Sequence, residues 1–176
     1  MKIVTYPEIE LLHSSAPPGQ LEQHLVALFQ QFHGPLFRYL RSLGLGEHDS
    51  EEVIQEVFLA LFRHLRAEKP QDNLRGWLFR VAHNLALKTR QRESLPELLD
   101  TADPNLNPEQ LAVRNQRHRR LAAVVRALDE RDRACLSLRA EGFRYREISE
   151  ILDVSLGAVA QSIQRSLERL NRADES

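Results

Sequence analysis

Between Asp49 and Leu65 the apolar residues Ile54, Val57, Phe58, Leu61, Phe62 and Leu65 recur at steps of three and four. That spacing puts them on one side of an α-helix and is incompatible with the two-residue period of a half-buried strand. The same periodicity runs from Leu21 through Leu25, Leu28, Phe29 and Phe32, and again from Leu74 through Leu78, Val81 and Leu85. Valine and isoleucine are too sparse for a sheet, so the chain reads as all-α. The Asp49 stretch also carries an acidic start. Asp49 is expected to cap the helix, with Glu52 three residues on as in a capping box. Glu51, Glu52, Gln55 and Glu56 are expected to share its outer side. An acidic outer face at a helix N-terminus suits the helix dipole and by itself implies only solvation.

The 176 residues suffice for one ordinary domain or two small ones. No apolar run approaches the roughly 20 residues that cross a bilayer, and the N-terminus lacks the pattern of a signal peptide. Cys135 is the only cysteine, so no internal disulfide forms, and its setting between Ala134 and Leu136 favours a core residue over a nucleophile. The seven histidines lack metal-ligand spacing, and no phosphate loop or nucleophile–base pattern stands in the sequence. No metal, cofactor or enzymatic activity is expected. The net charge of −1 hides a partition. Residues 25–92 hold ten Lys/Arg against seven Asp/Glu and residues 117–172 hold twelve against eight, whereas residues 93–116 hold one against five. Two mildly basic blocks therefore flank an acidic connector, and it is this distribution that sets an electrostatic footprint.

Residues 1–20 read as a flexible leader. Residues 21–92 read as a helical bundle, with a kink or break expected at His33-Gly34-Pro35 and a turn at Gly44-Leu45-Gly46. Residues 93–107 read as a flexible acidic linker. Asn107-Pro108 is a sharp helix start, with Asn at N-cap and Pro at N1, and opens a second helical unit over 108–172. In that unit Tyr145–Ile163 has helix-turn-helix spacing. Ile148, Ile151 and Leu152 supply one apolar side, Val154 the turn, and Val159 and Ile163 the other. Ser155 is expected to cap the second helix, leaving Gly157, Ala158, Gln161, Ser162 and Arg165 facing outward, where a major groove would lie. An ordinary packed hairpin has similar spacing. In the first unit, Arg80 and Asn84 lie along one side of the Leu74–Arg92 helix, with Trp77 and Lys88 at its margin. An aromatic beside such groups can stack on an unpaired base while they meet base edges or phosphates.

The order of these motifs resembles the bacterial extracytoplasmic-function RNA polymerase sigma factors of the sigma-70 family, over residues 22–172. The resemblance implies two small helical domains, regions two and four, joined by the linker. It implies that Asp49, Glu52, Gln55 and Glu56 bind core RNA polymerase at the beta-prime clamp, with the beta flap as a second contact. It implies that Asp72, Asn73, Trp77, Arg80, Asn84 and Lys88 read and melt the minus-ten promoter element, the loop 69–73 taking a flipped base. Ser155, Gly157, Ala158, Gln161, Ser162 and Arg165 would read the minus-35 element. Promoter DNA and core polymerase are the implied partners, an anti-sigma factor an optional further one, and the bacterial cytoplasm the implied location. Sites roughly 25 base pairs apart lie about 85 Å apart along B-form duplex.

The recognition helix departs from the family pattern. Ala160, Ser162 and Leu167 stand where the family carries basic residues, Asp153 replaces the glycine of the turn, and Arg144 replaces a Ser or Thr cap. Gln161 is then the expected base reader, adenine being its natural partner. The alternatives are a helix-turn-helix regulator acting without polymerase, which leaves the Asp49 helix unexplained, and a protein-interaction adaptor of the same fold.

Overall fold

The computed structural model describes residues 19–70, 72–90 and 119–174. Residues 1–18 of the expected leader, the linker at 93–107 and the Asn107-Pro108 helix start lie outside the described residues, and Gln20, at the end of that leader, already belongs to α1. Those described form seven helices and no strand. They are α1 (Gln20–Ser42), α2 (Glu47–Arg66), α3 (Leu74–Arg90), α4 (described over 119–126), α5 (Glu130–Ala140), α6 (Tyr145–Leu152) and α7 (Leu156–Asp174). No helix among them is long and apolar enough to cross a membrane.

Pro35 does not break α1, which runs through it. Proline removes one backbone hydrogen bond and its ring crowds the Cβ of the preceding residue. That residue is Gly34, which has no Cβ, and Leu36, Tyr39 and Leu40 beyond it are essentially fully buried. Packing of that turn therefore outweighs the local penalty.

The start of α2 also differs from expectation. Its N-cap is Gly46, not Asp49, and Asp49 occupies the first turn with no capping hydrogen bond. Gly44 ends α1 in the left-handed region at φ 96°, and Leu45 behind it is buried. The buried leucine fixes the chain so that helical backbone resumes three residues early. Ser50 Oγ donates to the Gly46 carbonyl at 2.7 Å and stabilises that start. Asp49 still favours the positive end of the helix dipole.

α1, α2 and α3 pack on one another, as do α5, α6 and α7. The two halves are not separate in space. α3 lies against α6 and α1 against α5, and the buried apolar residues of both halves form one continuous core. Phe79 and Phe143 meet edge to face with centroids 4.8 Å apart, and both are fully buried. The Arg75 guanidinium lies 4.1 Å above the Phe143 ring. Arg90 and Glu130 pair at 3.5 Å. Tyr39 and His83 bridge their rings through a buried hydrogen bond, Oη to Nδ1 at 2.8 Å, close to this seam. Burial pushes the Tyr39 phenol well up and the His83 imidazole down, so both are held uncharged at neutral pH.

α3 thus has three faces, set by its 3.6-residue turn. Leu74, Leu78, Val81 and Leu85 face the first half's own core. Arg75, Phe79 and Arg90 meet the second half, and Phe79 and His83 also meet Tyr39 of α1. Arg80, Asn84 and Lys88 lie on the remaining side, all exposed.

Candidate polymerase and nucleic-acid interfaces

On α2 the side chains of Glu52, Gln55 and Glu56 are exposed on one side, and Asp49 is half-buried at its start. His48 and Glu52 sit 3.2 Å apart, both open to solvent. Glu51 is turned away from this group toward α1, where its carboxylate meets His33 Nε2 at 3.0 Å. The acidic outer side is therefore narrower than the sequence implied. Among the described residues α2 packs chiefly against α1 and α3, and Glu52, Gln55 and Glu56 stay exposed.

The loop before α3 and its first two turns build a pocket of about 240 Å³. Pro70, Asp72, Asn73, Gly76, Trp77 and Arg80 line it from the first half, and Glu150 and Ile151 of α6 close it from the second. Trp77 is held by His64, whose ring lies 4.6 Å from it and whose Nε2 donates to the Pro70 carbonyl at 2.9 Å. The indole face is thereby fixed beside a loop, as stacking on an unpaired base requires. Asn73, expected among the minus-ten residues, also has a structural duty. Its Oδ1 accepts from the Gly76 N–H at 3.1 Å and caps α3. A Cβ on Gly76 would stand 2.6 Å from the Asn73 side chain. Gly76→Ala should therefore expel that cap and cost about 1–2 kcal/mol, the usual value of an N-cap. A urea titration followed by far-UV circular dichroism measures it, and an unchanged midpoint would refute the capping role.

The helix-turn-helix is built as the spacing required. Asp153 ends α6 in the left-handed region at φ 54°, which Asp tolerates better than most side chains. Ser149 Oγ donates to the Val154 carbonyl at 2.6 Å, and Ser155 Oγ accepts from the Ala158 N–H at 3.2 Å, capping α7. At the start of α6 the Glu147 carboxylate accepts from the Arg144 N–H at 2.7 Å. Arginine has no acceptor, so it cannot return the second bond of a capping box.

The outward face of α7 needs correction. Ser155, Gly157 and Gln161 are exposed and Ala158 is half-buried, but Ser162 is fully buried. It turns inward, where its hydroxyl serves Asp132 and Cys135. A basic residue there would bury a charge. Arg165 does not reach freely outward either. Its guanidinium donates to both carboxylate oxygens of Asp132, at 2.7 and 3.1 Å. Asp132 is 1% exposed, and this pair holds its carboxyl below the usual carboxylate range. Arg165 thus binds α7 to α5. The residues that share the open face with Gln161 are Gly157, Ala160 and Gln164, all exposed. Helical spacing from Gln161 alone would have found Gln164.

Two family models match the chain, Sigma-70 region 2 over residues 28–95 and Sigma-70 region 4 over 118–170. The RNA polymerase sigma factor CnrH of Cupriavidus metallidurans is 30% identical over 168 residues, covering 87% of this chain and 84% of that protein. The ECF RNA polymerase sigma factor SigE of Mycolicibacterium smegmatis is 33% identical over 153 residues, covering 81% of this chain; the chain spans 58% of that relative's length. The fold resembles CnrH solved with the cytosolic domain of CnrY (TM-score 0.64, 24% identity, 86% and 87% of the two chains). It also resembles the sigma factor RpoE solved with the anti-sigma factor NepR from Bartonella quintana (TM-score 0.65, 16% identity, 86% and 94%). Fold and site together define a two-module helical class, one module carrying an aromatic pocket and the other a helix-turn-helix. The chain belongs to the sigma-70 family of RNA polymerase sigma factors, in its extracytoplasmic-function class.

Proposed function

We propose that this chain directs bacterial RNA polymerase to a set of promoters and assists their melting, acting by binding rather than catalysis and in the cytoplasm. The observation that carries this is the exposed Arg80–Asn84–Lys88 ridge on α3 beside the fixed Trp77 pocket. A strand leaving duplex can lay its backbone along the ridge and one base in the pocket. Asp72 and Asn73 form the pocket's rim. On α7 the open face of Ser155, Gly157, Ala158 and Gln161, with Gln164 added, has the position of a major-groove reader. Its exposed turn of Gly157, Ala160, Gln161 and Gln164 carries no charge and Arg165 is paired with Asp132, so in this reading much of the affinity for duplex comes from the polymerase that carries it. An anti-sigma factor is a further expected partner, in line with the partner-bound state of both structural neighbours. Transcription from a randomised promoter library with purified core polymerase tests the whole reading. Enrichment of no common sequence would reject it.

The α2 face has its own test. Asp49, Glu52, Gln55 and Glu56 form the docking face for the polymerase clamp in this reading. Glu56→Lys should weaken association with core polymerase about tenfold, the scale of one interfacial charge contact. Stability should change by no more than about 0.5 kcal/mol, because Glu56 is exposed. Equal recovery of polymerase by the variant and the parent chain in a pull-down would move the docking face elsewhere.

A further inference from the structure

Gln164 and Glu168 are bonded to each other on the outside of α7. Both are exposed, and Gln164 Nε2 donates to Glu168 Oε1 at 3.0 Å. Chemistry fixes the direction of that bond. A carboxylate only accepts, so the amide must turn its NH2 toward Glu168 and its oxygen away. Arg172 lies along the same side, its Nε donating to the Glu168 carbonyl at 3.2 Å. Toward the start of α7 this face is shallow. Ala160 ends at its Cβ, and a Cβ added to Gly157 would meet nothing within 4 Å. A duplex can therefore close on α7 until Gln164, in the third turn, comes within reach of base edges.

We propose that Glu168 is a positioning residue for base reading. It holds the Gln164 amide with its oxygen toward the duplex, and Gln164 thereby selects a base with an amino group in the major groove, adenine or cytosine. The inference rests on the duplex-reading role assigned to α7. In the free chain an exposed pair four residues apart on a helix is a weak constraint. In a groove it becomes a strict one, because both ends of the amide lose water. The amino group at adenine N6 or cytosine N4 donates to the Gln164 oxygen while the amide NH2 keeps Glu168, and every polar group is paired. Guanine O6 or thymine O4 at the same place offers only an oxygen. Gln164 then either holds its own oxygen against that of the base, or turns over and sets it against the Glu168 carboxylate. Each arrangement leaves one desolvated acceptor facing another, and a desolvated group without its partner is costly. The expected discrimination is about tenfold, near the lower end for one good side-chain contact to a base edge. Glu168 itself touches no DNA.

Holoenzyme assembled from the full chain and purified core polymerase tests this on a promoter library randomised over the minus-35 region, with the transcribed templates sequenced. The parent should show one position at which A or C outnumbers G or T about tenfold on one strand, that strand being fixed by the rest of the motif. Gln164→Ala should level this position and leave the others. Glu168→Ala should level it too, since the freed amide satisfies either kind of base. Glu168→Lys should invert it toward G or T. An ammonium only donates, so it draws the amide oxygen to itself and turns the NH2 to the duplex. A merely structural role for Glu168 would change the yield at all positions alike and would invert none. The proposal is overturned if Gln164→Ala levels no position, or if the levelled position favours G or T in the parent. It is overturned equally if that position keeps its preference in both Glu168 variants. A parent library with no preference anywhere in the minus-35 region rejects the duplex-reading role of α7, and this inference with it.

Discussion

Replacing Arg80 and Asn84 together with alanine should lower transcription from a double-stranded promoter about a hundredfold. Each side chain stands exposed on the ridge of α3, one turn apart. A good side-chain contact to a base edge contributes about 1–3 kcal/mol. Two such losses, taken near the lower end of that range, give about 2.7 kcal/mol, which is two decades in rate. Neither residue supports the fold, so the variant should unfold at the parent's urea midpoint. A promoter carrying a pre-melted bubble should recover part of the loss, because the cost of unpairing has then been met in advance. Permanganate footprinting shows where the bubble forms. A footprint of parental strength on intact duplex would remove α3 from the melting step.

Phe143→Ala should cost about 3–5 kcal/mol of stability, the range for emptying a large aromatic site in a core. Phe143 has no exposed surface, and the change strips both the edge of Phe79 and the face beneath Arg75. Leu167→Ala is the control. Leu167 is 47% exposed, and its loss should stay within about 0.5 kcal/mol. Urea unfolding read by far-UV circular dichroism compares the two. Equal midpoints would mean that Phe143 is packed no better than a surface leucine, and the shared core would have to be given up.

The helices were legible because each buries one stripe at a fixed period, and Ile54, Val57, Phe58, Leu61 and Leu65 all landed in the core. A break at Pro35 did not follow, because local rules do not weigh the burial of Leu36, Tyr39 and Leu40 in the turn after it. Asp49 misled for a related reason. A capping residue marks a helix start only where no buried neighbour fixes the backbone first, and Leu45 does so here. Ser155 as a cap and Asp153 in left-handed backbone could be read directly, since both depend on one residue's own geometry. Ser162 and Arg165 could not. A serine is compatible with either side of a helix, and the partner that claims Arg165 is 33 residues away. The seam between the halves was the least visible feature. Its contacts on α3 come from Arg75, Phe79 and Arg90, which match neither a core pattern nor a surface one. Arginines that stack on or pair across a junction look like solvated charges until the junction is seen.

Cys135 is the chain's sole thiol and has no solvent contact. Burial pushes its thiol up, so even the reactive thiolate form is suppressed. The folded protein therefore offers thiol-directed reagents no accessible thiol, and two native copies cannot join through a disulfide. Once the helices around it part, the thiol becomes available in an otherwise cysteine-free background. Each alkylated molecule is thus a permanent record of one excursion from the native state. The rate of mass gain under a thiol reagent counts those excursions at equilibrium, without denaturant and without an engineered probe.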